Sequence, residues 1–223
     1  MTKTTTLGLI HTSATLIPVF QQLCQEYLPG VTIFNIVDDS LVRNIRERGE
    51  VTPAIFKRVA DYVASAEDSG ADYVLVTCSS IGAPVEAAAE KAGVPVLRVD
   101  QPMADLAVQT GKRIGVIATL QTTLQPTEDL VRRRAALASK EVELTATVVE
   151  GAFEALMSGN AAKHDTLVAD ALRTMSKQVD VILLAQASMA RVVDKLSDDD
   201  KIVPIVASPP NAIKYLAQLI GIS

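Results

Sequence analysis

Along this chain, short runs rich in valine, isoleucine and leucine alternate with longer segments in which apolar residues recur every three or four positions. The short runs fall near 5–10, 31–37, 73–77, 94–99, 113–118, 142–149, 181–185 and 202–206, and they predict strands. Most carry apolar residues at consecutive positions, the signature of burial on both faces in a parallel sheet covered by helices. The longer segments predict helices near 15–28, 52–69, 83–92, 102–110, 122–139, 162–178, 188–196 and 209–220. Thr52-Pro53 and Gln101-Pro102 read as helix starts, because a first-turn N–H has no intrahelical partner to lose. Helix 52–69 sets Ile55, Val59, Tyr62, Val63 and Ala66 on one face. Cys24 shares an apolar stripe with Phe20, Leu23 and Tyr27 and is expected in a core. Gly8 and Gly115 interrupt strand patterns and mark close packing.

The pattern occurs twice. Asp72 matches Asp180, Cys78 matches Gln186 and Ser80 matches Ser188, each pair 108 residues apart (180−72, 186−78, 188−80). Leu7-Gly-Leu-Ile-His-Thr12 matches Ile114-Gly-Val-Ile-Ala-Thr119 at 107 (114−7), and each is followed by threonines and a proline, Pro18 or Pro126. Val94-Pro-Val-Leu matches Val203-Pro-Ile-Val at 109 (203−94), and Pro102 matches Pro210 at 108. A copy this long is a supersecondary lobe, since solenoid repeats run to roughly 20–50 residues. The fold class is therefore α/β, as two pseudosymmetric lobes from an internal duplication, each a mostly parallel sheet flanked by helices. The first lobe is expected over 1–100 and the second over 101–207, with the C-terminal helix, 208–223, crossing back to the first.

Composition narrows the function classes. The chain has 223 residues, 48% of them hydrophobic, enough to build a substantial core. Acidic and basic residues are interspersed at a net charge of −5, so no basic stripe invites nucleic acid. Aromatic content is 4% with no tryptophan, which leaves little for base stacking. No apolar run is long enough to span a bilayer and the N-terminal residues lack a signal-peptide core, so no membrane partner is expected. Two cysteines without signs of secretion point to a reduced, cytoplasmic setting.

In an open parallel sheet, ligands bind beyond the carboxyl ends of the strands, where helix N-termini and free N–H groups converge. Four hydroxyl-rich loops occupy such places: His11-Thr-Ser-Ala-Thr15, Thr77-Cys-Ser-Ser80, Thr119-Leu-Gln-Thr-Thr123 and Gln186-Ala-Ser188. Serine and threonine cap helices routinely, but four matched loops around a cysteine describe a site for a small carboxylate-bearing substrate. The candidate contacts are His11, Ser13, Asp39, Thr77, Ser79, Ser80, Thr119, Thr122, Thr123, Ala187 and Ser188. Cys78 follows a strand and precedes a helix, a setting expected to lower the thiol pKa and favour thiolate. A thiolate can remove a proton from carbon, return one, or attack carbon. Asp38-Asp39-Ser40 could meet a substrate amine, although a cap for a helix over 40–47 explains it more simply. His164 reads as a solvated surface residue. With two histidines and no CxxC or HxxxH spacing, no metal site is expected. The absence of GxGxxG and Walker patterns removes the usual nucleotide fingerprints.

Gly-Leu-Ile-His-Thr at 8–12, Val-Thr-Cys-Ser-Ser-Ile-Gly at 76–82, Gly-Lys-Arg-Ile-Gly-Val-Ile-Ala-Thr at 111–119 and Glu150-Gly-Ala-Phe-Glu154 resemble the aspartate/glutamate/hydantoin racemase superfamily, which includes arylmalonate decarboxylases and maleate isomerases. The resemblance implies two α/β lobes with the active site between them, and no cofactor. It also implies a homodimer or a higher homo-oligomer, dimers being frequent in the family. Racemases of this kind use one cysteine from each lobe on opposite faces of the substrate carbon. Cys78 matches the first, whereas the second falls on Gln186, whose amide cannot act as a base. The expected catalytic pair is therefore Cys78 and Gln186, with Gln186 supplying hydrogen bonds across the cleft. Asp39 or His11 is a candidate for a second base. The implied activity is a cofactor-independent racemase or isomerase acting beside a carboxylate of an amino acid, hydantoin or dicarboxylate. The alternatives are a cofactor-free decarboxylase or lyase of a malonate-type acid, and a non-catalytic carboxylate binder.

Overall fold

The structure, a computed structural model, describes residues 4–222. In chain order its strands are β1 (Thr6–His11), β2 (Thr32–Val37), β3 (Tyr73–Val76), β4 (Val96–Arg98), β5 (Arg113–Ala118), β6 (Glu143–Val148), β7 (Val181–Leu184) and β8 (Ile205–Ala207). The helices are α1 (Ile17–Tyr27), α2 (Ser40–Arg48), α3 (Pro53–Asp68), α4 (Gly82–Ala89), α5 (Gln101–Thr110), α6 (Gln121–Leu137), α7 (Ala152–Met157), α8 (Ala161–Met175), α9 (Ala190–Val193) and α10 (Ser208–Ile220). The chain divides into two units, one running to Asp100 and resuming at Ala212, the other spanning Gln101–Asn211.

Each unit is built on a four-stranded sheet, ordered β2-β1-β3-β4 in the first and β6-β5-β7-β8 in the second. Every pairing is parallel. Parallel neighbours need crossover connections, and the helices between strands supply them. The central strands β1, β3, β5 and β7 are buried along nearly their whole length. The edge strand β6 instead alternates exposed with half-buried positions, and β2 mixes the two, with Ile33 packed on one side and Phe34 and Ile36 on the other.

In the first unit, α3 buries Ile55, Val59, Val63 and Ala66 against the sheet at helical spacing. Each large aliphatic side chain fully buried in this way contributes about 1.5–3 kcal/mol. The other face is covered by α1 and α10, whose Phe20, Cys24, Ala212, Ile213 and Leu216 pack with Leu7, Leu9 and Leu75. In the second unit, Val168, Leu172 and Met175 of α8 cover one face, and Met103, Ala107, Leu130 and Val131 of α5 and α6 cover the other. Gly8 and Gly115 are the points of close packing: a β-carbon on Gly8 would lie 3.1 Å from Phe34, and one on Gly115 would lie 2.4 Å from the Met175 sulfur. Among the described residues, no helix is long and apolar enough to cross a membrane.

Two expectations need correction. Residues 152–157 form a helix that the strand–helix alternation did not suggest, its first turn following Gly151 in the left-handed region at φ 74°. His164 is not a surface residue. It is fully buried on α8, with Nδ1 2.9 Å from Asp165, because its ring completes the apolar stripe that continues at Val168 and Leu172.

Candidate active site

Parallel strands bring every strand C-terminus in a unit to one edge of its sheet. In the first unit that edge carries Thr12, Asp38, Thr77-Cys78 and Val99-Asp100. Cys78 leaves β3 in extended geometry (φ −132°, ψ 121°) and heads a short 3-10 turn, Ser79–Ile81, that runs directly into α4. This places backbone N–H groups around the sulfur. The Thr12 hydroxyl, the Ser80 N–H and hydroxyl, and the Ile81 N–H act on the Cys78 thiol as donors that favour its thiolate form. Cys78 is half-buried and packs beside the apolar cluster of Ile10, Ile55 and Ile81.

Burial pushes the Cys78 pKa up, and the four donors offset only part of that effect. The resting group is a thiol, so the expected thiolate is corrected: desolvation outweighs the turn's N–H groups. Cys24 behaves differently. It is 1% exposed in the apolar layer below α1, and burial alone pushes its pKa up to about 11.

His11 ends β1 with no exposed surface. Its Nδ1 lies 2.9 Å from the Thr77 hydroxyl and its Nε2 2.9 Å from the Asn35 side-chain oxygen. Since that oxygen only accepts, Nε2 carries the proton and Nδ1 accepts from Thr77. Burial lowers the His11 pKa despite the Asn35 bond, which keeps the ring neutral. Ser13 caps the turn at Ala14–Leu16, its oxygen accepting from the Thr15 N–H. Asp39 is exposed at the N-cap of α2 but makes no capping bond. Asp38 performs that task instead, accepting from the Ser40 N–H and hydroxyl. It also pairs with Arg58 and accepts from the Tyr62 hydroxyl at 2.6 Å. Burial opposes ionisation of Asp38, but Tyr62, Ser40 and Arg58 together hold its pKa below the ordinary carboxylate value.

The second unit repeats this edge with different chemistry. Gln186 leaves β7 in the same extended geometry (φ −135°, ψ 138°) and heads the turn Ala187–Met189. Its amide oxygen accepts from the Thr119 N–H at 2.5 Å and the Thr119 hydroxyl at 2.9 Å. Thr119 and Thr123 are buried, Thr122 is half-buried in the first turn of α6, and Ala187 and Ser188 are half-buried after Gln186. Thr12 was missed as a site residue. The signal was present in the repeat, because Thr12 stands to Cys78 as Thr119 stands to Gln186.

The family pattern for Asp/Glu/Hydantoin racemase matches residues 7–216. The chain belongs to this family. It is an isomerase-type enzyme whose reaction the family alone does not specify. No curated protein matches it by sequence. Its fold is similar to that of allantoin racemase from Klebsiella pneumoniae, at 16% identity and TM-score 0.73, over 97% of this chain and 88% of the other. Glutamate racemase from Francisella tularensis in complex with D-glutamate matches at 14% identity and TM-score 0.73, over 98% and 81%. An arylmalonate decarboxylase mutant in a sulfate-associated form matches at 20% identity and TM-score 0.58, over 97% and 93%. Relatives named for racemisation and for decarboxylation share this fold, so the choice of reaction has to come from the site residues.

Proposed function

We propose that this family member is a cofactor-independent racemase-type isomerase, in which Cys78 exchanges a proton at the carbon beside the carboxylate of a small acid. The observation carrying this reading is the sulfur itself, ringed by the Thr12, Ser80 and Ile81 donors at the end of β3. As a base, the Cys78 thiolate takes the proton from that carbon and leaves an enediolate-like anion. As an acid, the thiol returns the proton to the same carbon, which restores the starting enantiomer; inversion needs a proton on the opposite face of the planar anion, from water or from a second group of the site. A high pKa makes the thiolate a strong base once formed and keeps the thiol ready as an acid. Ser79 offers its hydroxyl to the developing negative charge, as oxyanion donors do, while the Ser80 hydroxyl serves the Cys78 sulfur. Gln186 supplies hydrogen bonds and no proton: its carbonyl is engaged by Thr119, which leaves the amide N–H groups as the donors for a substrate oxygen. Thr119, Thr122, Thr123 and Ser188 complete the polar edge of that unit.

A second reading has its own support. One titratable thiol, protonated at rest, is the requirement of a decarboxylase that protonates a carbanion after carbon dioxide leaves. Proton NMR in deuterium oxide separates the two across aspartate, glutamate, hydantoins, malonates and maleate, with wild type and Cys78→Ala run in parallel. The expected result is Cα–H exchange without loss of mass, abolished in the variant. Carbon dioxide release from a malonate would replace the racemase reading with the decarboxylase. Tight carboxylate binding with no turnover of any panel member would overturn both in favour of a binding protein.

A further inference from the structure

Behind the Cys78 turn lies an ion cluster that the proposed chemistry does not use. Arg98, the last residue of β4, is 4% exposed, and Asp100 is fully buried. The guanidinium holds Asp100 in a two-pronged pair, Nε to Oδ1 at 2.9 Å and Nη2 to Oδ2 at 2.7 Å, and donates from Nη1 to Glu86 of α4 at 2.5 Å. Burial works against its charge, but Asp100 and Glu86 hold the pKa above the ordinary arginine value. The group lies flat against Gly82, the first residue of α4: a β-carbon there would fall 2.2 Å from the guanidinium carbon. Gly82 directly follows Ser80 and Ile81, whose N–H groups hold the Cys78 sulfur.

The second unit solves the same corner without ions. Strand register sets Arg98 beside Val76 and Ala207 beside Leu184, the matching residue (184−76 = 108). Arg98 and Ala207 are 109 apart (207−98), and an offset of 108 puts Ala190 in place of Gly82 (190−82) and Ser208 in place of Asp100 (208−100). Small residues therefore suffice to pack this corner of the fold. Stability is a poor reason for the cluster as well, since buried ion pairs are often no better than apolar replacements. The unit with the thiol has the clamp, and the unit without it does not. We infer that Arg98, held by Asp100 and Glu86, is a positioning residue that braces the Gly82 turn so that the Ser80 and Ile81 N–H groups stay on the Cys78 sulfur. The inference rests on the reading of Cys78 as the reacting group.

The test installs the second unit's residues in the full chain as Gly82→Ala/Arg98→Ala/Asp100→Ser, and separately makes Arg98→Lys, which keeps the charge but loses the fork. The thiolate of Cys78 is titrated by ultraviolet absorbance, as the difference from the same background carrying Cys78→Ala, with folding followed by circular dichroism. The expected midpoint rises by about one pH unit in the triple variant and by about half that in Arg98→Lys, because N–H donors that stabilise thiolate are lost. Folded variants with the wild-type midpoint would overturn the inference. Should the triple variant not fold, the Arg98→Lys midpoint decides alone. The titration needs no substrate, so it separates from the proposed function: turnover that survives Cys78→Ala would sink the reading of Cys78 while leaving the midpoint shift to judge the clamp.

Discussion

The two units are copies in their scaffold and differ where their strands end. Both use an aspartate at the opposite edge to hold backbone: Asp72 accepts from the Thr6 N–H at 2.9 Å, and Asp180 accepts from the Arg113 N–H at 2.8 Å. Both set a threonine beside the residue that leaves the third strand, Thr12 at Cys78 and Thr119 at Gln186. From there they diverge. The thiol draws backbone N–H groups from its own turn, whereas the amide turns its oxygen away to Thr119. The helix after the first strand differs too. Pro18 stands second in α1 after a 3-10 turn, but Pro126 lies inside α6, which begins a turn earlier at Gln121. Duplication preserved the groups that satisfy backbone and changed those where β3 and β7 end.

The sharpest break in that comparison is catalytic. Cys78→Ala is expected to lower turnover at least about a hundredfold, the usual contribution of an acid/base group. Gln186→Ala should lower it only about tenfold, the worth of a hydrogen bond. Steady-state kinetics on whichever panel substrate exchanges will check both, and equal losses would mean that the units share the chemistry. Next comes the helix start. Gly82→Ala drives a β-carbon into the Arg98 guanidinium and should cost about 3 kcal/mol. The matching Ala190→Gly costs only the backbone freedom of glycine, about 1 kcal/mol. Urea melts of the two variants give the difference directly.

Acid stability separates a buried histidine from the paired carboxylates by pH. Burial lowers the His11 pKa, so below about 6.5 the unfolded chain takes up a proton that the native ring does not. Stability therefore falls as pH drops through that range, and His11→Gln should flatten this limb. Asp165 of the second unit is also opposed by burial, but Lys195, His164 and Arg191 hold it down to about 2. Its contribution is present above about pH 4 and is lost as pH falls from there toward about 2. Asp165→Asn should shrink that lower limb, to which Asp38 of the first unit also contributes, and leave the upper one, as read by denaturant melts between pH 3 and 7. The smallest effect is at the paired threonines. Thr12→Val removes one of four donors to sulfur and should raise the Cys78 midpoint by a few tenths of a unit. Thr119→Val should leave that midpoint unchanged, and thiolate absorbance will show whether it does.

Much of this was legible in the chain. Apolar runs and the offset near 108 carried the strands, the duplication and Cys78, because burial on both faces demands consecutive apolar residues. The central strands were therefore clearer than the edge strands β2 and β6, whose exposed positions relax that demand. Gly82 could be seen as a turn residue, but not as the floor for a guanidinium, since Arg98 lies sixteen positions away (98−82).

By itself, then, the sequence determined the α/β class, the two copies, the lone thiol at the end of β3 and the amide in its matching place. Only the tertiary structure decided that Cys78 rests as a thiol, that His11 is neutral with both ring nitrogens engaged, that His164 is buried, and that Arg98 stands behind the turn. The reason is physical. Period and propensity are local, and so they survive in a string of letters. A pKa or an ion cluster depends on which distant groups displace water around an atom, and that is settled when the strands are set side by side.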